Sequence, residues 1–197
     1  MLIGISGKYH SGKDTVFNKI HCNMPEAERL AFGDFLKEEV AGVCGVSVDE
    51  INKNKGFFRT MLQWWGTEFR RQRFGENYWV NKVEAAIFGK WRAALNNCAP
   101  RPPFVVITDV RFPNEFEFVK KNKGIMLRVE RPEKRWWRRA WKWLKSQDPR
   151  TRHTSETALD KHAFDYVIRN DGDMEALELK VMLFCDWLQK QSLKQPR

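Results

Sequence analysis

Near the amino terminus, Gly7-Lys8-Tyr9-His10-Ser11-Gly12-Lys13 carries two glycines and a lysine in the order G-x-x-x-x-G-K. That spacing suits the binding of a phosphate chain. Glycines let the backbone curl so that its N–H groups converge on an anion, and a helix beginning there adds unpaired N–H groups and its positive dipole end. Lys13 supplies a mobile charge for the outer phosphates. By chance the bare pattern occurs in roughly one chain in twenty of this size, so an ordinary glycine-rich turn is the competing explanation. The flanking residues favour phosphate. Leu2-Ile3-Gly4-Ile5 has the length of a buried strand, and Val16, Phe17 and Ile20 recur at helical spacing after the loop. The position after the lysine commonly holds a metal-binding hydroxyl, but here it is Asp14, followed by Thr15.

A second acid stands in a telling place. Phe104-Val105-Val106-Ile107-Thr108 is the most strand-like run in the chain, apolar and β-branched, and it leads directly to Asp109 and Arg111. In open α/β sheets ligands gather at the carboxyl ends of strands, where an acid can hold Mg²⁺. A helix cap or turn residue is the alternative for Asp109. A third group lies in an expected helix over 58–73: Gln63, Gly66, Thr67 and Arg70 fall at i, i+3, i+4 and i+7 and so share one face. A glycine within a helix costs about 1 kcal/mol relative to alanine, which suggests a cleared space. The face is either the wall of a polar pocket or a solvated surface.

The elements needed to position these groups can be traced along the 197 residues. Strands are expected at 2–5, 28–32, 104–108, 125–129 and 164–168. Helices are expected after the first loop, at 35–44 with Asp34 as N-cap and Gly45 as stop, at 58–73, 76–97 and 115–122, and at 174–190. A loop carrying Lys53, Lys55 and Gly56 joins the second and third helices. Five strands separated by helices, with a phosphate loop after the first, predict a three-layer α/β fold around a parallel five-stranded sheet. In such a single domain, 1–33, 100–130 and 153–197 form the core, 34–99 a helical insertion and 131–152 a second insertion.

The formal charge is +10, but 131–152 alone contributes +7 of it. The excess is local, which suits a polyanionic small ligand and argues against a nucleic-acid partner in its simplest form. Over 133–145, Trp137, Ala140, Trp141 and Leu144 make an apolar stripe among arginines. It reads equally as a membrane-surface helix, a nucleic-acid patch or a lid whose arginines reach phosphates. Cys22, Cys44, Cys98 and Cys185 lack metal-site spacing, which suits a reducing cytoplasm. No signal-peptide order or membrane-spanning apolar run is present.

Several segments together resemble the deoxynucleoside monophosphate kinases of bacteriophages: GKYHSGKDT (7–15), LAFGDFLKE (30–38), LQWWGTEFRRQ (62–72), YWV (78–80), VVITDVRFPNEFE (105–117), RVERP (128–132), HTSE (153–156) and FDYVIRNDG (164–172). Asp14 belongs to that pattern. Animal-type phosphomevalonate kinases look similar around TDVRFPNE and GKDT. The resemblance implies a P-loop fold and transfer of the ATP γ-phosphoryl group to a deoxynucleoside 5′-monophosphate, with Mg²⁺ as cofactor. It implies that Gly7, Lys8, His10, Ser11, Gly12, Lys13, Asp14 and Thr15 bind ATP, with Asn170 and Gly172 near adenine. Asp14, Thr15 and Asp109 become metal candidates, and Lys13, Asp109 and Arg111 catalytic ones. Asp34, Lys37, Gln63, Trp64, Thr67, Arg70, Arg111 and Glu115 would meet the acceptor nucleotide. Arg131, Arg135, Arg138 and Arg139 are the lid candidates, although the run WWRRAWKWLK is heavier in Arg and Trp than the family pattern. The resemblance also admits a homodimer and a host-cell cytoplasmic location. Phosphomevalonate or dephospho-coenzyme A is the alternative acceptor.

Overall fold

The most apolar runs become the centre of a sheet because both of their faces must be covered. In the computed structural model, which describes residues 1–97, 104–132 and 157–194, all five residues of β1 (Leu2–Ser6) and all four of β3 (Phe104–Ile107) are buried. With β2 (Ala27–Leu30), β4 (Ile125–Glu130) and β5 (Tyr166–Arg169) they form a sheet of order β2-β3-β1-β4-β5. Every pairing is parallel. Strand β1 lies between β3 and β4, with Ile3 opposite both Val106 and Ile125. The glycine-rich loop therefore leaves from the middle of the sheet, at its carboxyl edge.

Alternation along β1 divides the core. Ile3 and Ile5 pack with Val16 and Ile20 of α1 (Lys13–Asn23) and with Val181, Phe184 and Leu188 of the closing helix, α8 (Met174–Lys194). On the opposite face Leu2 joins Phe32 of α2 (Phe32–Cys44), Trp79 and Val83 of α6 (Tyr78–Asn96), and Phe116 and Val119 of α7 (Pro113–Lys121). Gly4 makes this closeness possible: a Cβ there would lie 2.6 Å from Met126 Sδ and 3.0 Å from a methyl of Val119.

A smaller cluster, with Val40, Ile51 and Phe58 at its centre, holds the helical insertion together. It joins α2 to α3 (Val48–Lys53) and α4 (Lys55–Gln63). The expected loop at 53–56 is thus mostly helix. Ser47 caps α3 by accepting from Glu50 N at 3.1 Å, in a Ser-x-x-Glu arrangement that the sequence displays.

Two further expectations change. The helix expected at 58–73 changes its winding: Trp64–Arg71 is a π-helix, followed by a short α5 (Gln72–Phe74) that ends at Gly75. The face-sharing rule assumes 3.6 residues per turn, whereas π winding bonds each N–H five residues back. Gly66 accordingly does not clear a polar pocket. It is buried against Leu36, where a Cβ would approach to 3.1 Å, and its carbonyl accepts from Trp79 Nε1 at 2.9 Å. Likewise α2 starts at Phe32, so Asp34 lies within its first turn and is not the cap; Gly45, with φ of 66°, does end it. The fifth strand begins at Tyr166; just before it Asp165 N donates to Met126 O at 3.0 Å and the Asp165 carboxylate accepts from Met126 N at 2.7 Å. The expected basic helix at 133–145 and the segment HTSE lie outside the described residues. Among the described residues no helix is long and apolar enough to cross a membrane.

Gly4→Ala should destabilise the fold by about 1–3 kcal/mol through overpacking. A lower urea midpoint with an unchanged m-value will register it; an unshifted midpoint would mean that Met126 simply moves aside.

Candidate active site

The loop after β1 is shaped by its two glycines. Gly12 takes a left-handed conformation (φ 98°, ψ 23°), and a Cβ there would lie 2.5 Å from Asn170 Nδ2. At Gly7 a Cβ would meet Val129 O at 2.4 Å and Ser11 Oγ at 2.6 Å. Only glycine fits either place. Ser11 N donates to Lys8 O at 3.1 Å, closing the turn, and Lys13 Nζ reaches back across it to Gly7 O (2.7 Å) and Lys8 O (3.0 Å). Ser11 is buried, yet its Oγ has no hydrogen-bond partner among the described residues. A buried hydroxyl in that condition costs about 1–3 kcal/mol, and an anion in the loop would satisfy it. His10, with φ of 60°, and the exposed Lys8 and Tyr9 form the outer side of the loop.

The loop is braced from the far end of the chain. Asn170 Nδ2 donates to Ser11 O at 2.9 Å and its backbone N to Glu130 O at 2.7 Å. Its amide thus supports the phosphate loop, where the expectation was a contact to adenine. Gly172 lies against Ala176 at the start of α8, within 2.9 Å of a would-be Cβ. Lys8 pairs with Asp160 at 3.5 Å, and Asp160 in turn receives Arg128 Nη2 at 2.6 Å. Beside the loop is a cavity of about 410 Å³, lined by Lys8, Tyr9, Ser11, Arg128, Arg131 and Asp171 among others. Arg131 is therefore beside the phosphate loop. Arg135, Arg138 and Arg139 lie outside the described residues.

Asp109 resolves the choice between cap and free acid in an informative way. Its Oδ1 accepts from Phe32 N and its Oδ2 from Gly33 N, both at 2.8 Å, so it caps α2 from the end of β3. Burial pushes its carboxyl above the usual range, opposed by those two N–H groups and by the charge of Arg111. Asp34 and Lys37, expected at the acceptor entrance, pair with each other at 3.1 Å, while Asp34 also takes Arg29 at 2.5 Å. Burial alone would raise the Asp34 carboxyl, but the hydrogen bonds and charges of Arg29 and Lys37 hold it below its usual range.

Glu115 needs correction as an acceptor contact. It is 2% exposed, and its oxygens already accept from Arg71 Nη2 (2.5 Å), Arg111 N (2.7 Å) and Phe112 N (3.1 Å). A ligand would meet the arginines that it organises. Desolvation drives its pKa up to about 7, with Arg71 and the two N–H groups opposing. Of the other expected acceptor residues, Trp64 is 45% exposed and stacks on Phe69 at 5.5 Å, leaving ring surface open to a base. Gln63 and Thr67 are half-buried on either side of it.

Sequence pattern alone did not single out two residues. Glu39 of α2 accepts from Trp65 Nε1 (3.0 Å), Arg70 Nε (2.7 Å), Tyr78 OH (2.5 Å) and Lys82 Nζ (2.8 Å). Its one sequence signal is a charge placed beside the helical stripe formed by Leu36 and Val40. Burial would raise its carboxyl, but the donors, Lys82 foremost, bring its pKa down to about 2. Arg59 of α4 lies over the Tyr9 ring, 5.7 Å from its centroid, and so brings the insertion to the phosphate loop.

The parallel sheet, its central glycine-rich loop and a lysine folded across that loop define the class as a P-loop fold. Within that class, the chain belongs to the deoxynucleotide monophosphate kinase family, whose model matches residues 38–181. It is 29% identical over 147 residues to the deoxynucleoside-5′-monophosphate kinase of Escherichia phage T5, covering 68% of this chain and 50% of that one. It is 25% identical over 201 residues to a putative deoxynucleotide monophosphate kinase of Acanthamoeba polyphaga mimivirus, covering 94% and 96%. The chain spans about half the length, or less, of the first curated relatives that it matches. Among solved structures, dephospho-CoA kinase from Campylobacter jejuni superposes with a TM-score of 0.54 at 12% identity, covering 97% of this chain and 98% of that one, a likeness of fold.

Glu115 gives the site a pH signature. The unfolded chain releases this proton near 4.5, whereas the folded protein keeps it to about 7. Its contribution to stability is thus complete below about pH 4.5 and is lost as pH rises through about 7. Urea titrations between about pH 5 and 8 should show wild type losing stability more steeply than Glu115→Gln, which cannot ionise; parallel curves would refute the shift.

Proposed function

We propose that the protein transfers the γ-phosphoryl group of ATP to the 5′-phosphate of a deoxynucleoside monophosphate, releasing ADP and the diphosphate. The observation that carries this reading is the loop at the centre of the sheet, where a buried Ser11 hydroxyl lacks a partner among the described residues and Lys13 bridges the loop carbonyls. Family membership supplies the acceptor class.

In this reading an acceptor phosphate oxygen attacks the γ-phosphorus while the bond to the β-phosphate oxygen breaks. The protein contributes alignment and charge neutralisation. The backbone of Gly7 to Thr15 cradles the ATP phosphates, and Lys13 exchanges its loop carbonyls for phosphate oxygens. Arg111, whose backbone N donates to Glu115, holds the acceptor phosphate in this reading. Trp64 offers the acceptor base a stacking surface, and Gln63, Thr67 and Arg70 line the rest of the acceptor site. Mg²⁺ keeps several waters and needs one or two hard oxygen ligands besides phosphate. Asp14, exposed in the first turn of α1, and the neighbouring Thr15 suit it. Asp109 suits it less, since both of its oxygens already accept backbone N–H groups. When bound, the ion neutralises charge on the phosphates.

The domain reading follows. Core segments 1–33, 100–130 and 153–197 carry the donor site, 34–99 the acceptor site, and 131–152 a lid whose arginines, starting from Arg131, exclude water. A cytoplasmic setting agrees with this substrate pair.

A coupled assay of ADP release across dTMP, dGMP, dCMP, dAMP and phosphomevalonate tests the proposal. At least one deoxynucleotide should accelerate ADP formation; acceleration by phosphomevalonate alone would replace it. Lys13→Ala should lower turnover by about 10²-fold or more. Asp14→Ala should impair Mg²⁺-dependent turnover more than ATP binding, and equal losses in both would count against a metal role.

A further inference from the structure

The Glu39 cluster is more elaborate than holding three helical elements together requires. The Glu39 side chain is 14% exposed, and it accepts four hydrogen bonds, two on each oxygen. Four is about the full acceptor capacity of a carboxylate. One of the four donors, Arg70, is restrained on several sides. Its Nε bonds to Glu39 at 2.7 Å, and its guanidinium carbon lies 5.2, 5.2, 5.0 and 5.1 Å from the ring centroids of Trp65, Phe69, Phe74 and Tyr78. Among the described residues Glu39 is the one acid paired with it, and that pairing uses Nε. The Arg70 side chain keeps 20% exposure. Nη1 and Nη2 meet no hydrogen-bond acceptor among the described residues, which leaves a flat fork whose spacing matches two oxygens of a carboxylate or phosphate.

We infer that Glu39 is a positioning residue, fixing Arg70 so that its Nη edge forms a ready two-donor site for the phosphate monoester of the acceptor nucleotide. This rests on the kinase reading above. A free arginine must give up side-chain rotamer freedom on binding; here the carboxylate and the rings impose that order during folding, so the ligand meets a preorganised fork.

The experiment measures deoxynucleoside monophosphate binding by calorimetry without ATP, alongside steady-state kinetics and thermal melting, for wild type, Glu39→Gln, Arg70→Ala, the double variant and Lys82→Met. Glu39→Gln should weaken monophosphate binding and raise its KM by about tenfold or more, with ATP affinity unchanged. Because Glu39 acts through Arg70, the double variant should bind no more weakly than Arg70→Ala alone. Lys82→Met removes a Glu39 partner without touching Arg70 Nε, so it should lower the melting temperature and leave monophosphate affinity near wild type. Folded Glu39→Gln with unchanged monophosphate affinity, or fully additive losses in the double variant, would overturn the inference and leave the kinase reading intact. Wild type that binds and phosphorylates no deoxynucleoside monophosphate would overturn both.

Discussion

The contact on which the rest depends is the one between the Asp109 carboxylate and the first two N–H groups of α2. It joins the end of a fully buried strand to the start of the helical insertion, across more than seventy residues of sequence. A helix start needs acceptors for its unpaired donors, and none of the α2 side chains provides one. With the cap supplied from β3, the direction of α2 is set by the sheet. Everything that α2 carries outward, including Leu36 against Gly66 and Glu39 beneath Arg70, inherits that direction.

A wider division of labour among charges follows. The chain is strongly basic, yet its site is organised by acids, of which Asp109, Glu39 and Glu115 are wholly or partly buried. Asp109 aims α2, Glu115 fixes the Arg111 turn and binds Arg71, Glu39 immobilises Arg70, and Asp160 receives both Lys8 and Arg128. Each acid converts a flexible cation or a loop backbone into a fixed one. For the phosphoryl transfer proposed above, in which alignment and charge neutralisation carry most of the catalysis, fixed cations matter more than numerous ones.

How much of this was legible beforehand depended on the range of the interaction. The phosphate loop, the five strands and most helix limits follow from local pattern: β-branched runs of strand length, apolar spacing of 3.6, and glycine at stops such as Gly45. The parallel order could be expected from alternation of strands and helices. Misreadings fell where a distant partner decides. Asp34 has the composition of an N-cap, but Asp109 took that place from another strand. Glu115 was expected to meet the acceptor nucleotide, but it is buried and its carboxylate is taken by Arg71 arriving from the insertion. Glu39 is one of two adjacent glutamates, distinguished only once α6 and the π-helical turn close around it. Among the described residues, local sequence disclosed the glycine-rich loop better than the cluster around Glu39, because the former is one continuous stretch and the latter is assembled from separate helical segments.

The π-helical turn at Trp64–Arg71 has a consequence for how this insertion can vary. A stretch wound in this way accommodates an extra residue relative to α-winding. Each residue of an α-helix advances the side-chain direction by roughly 100°. A residue inserted into plain α-helix would rotate everything beyond it by that amount, whereas the wider turn takes up the extra residue and leaves the stretches on either side in phase. Removing a single residue from Trp64–Arg71 would therefore let the turn relax towards α-geometry while Phe58, upstream, kept its seat in the insertion core. What such a change re-aims is the turn's own side chains, Arg70 among them, so the length of the turn, more than the identity of any one residue in it, sets the pairing with Glu39.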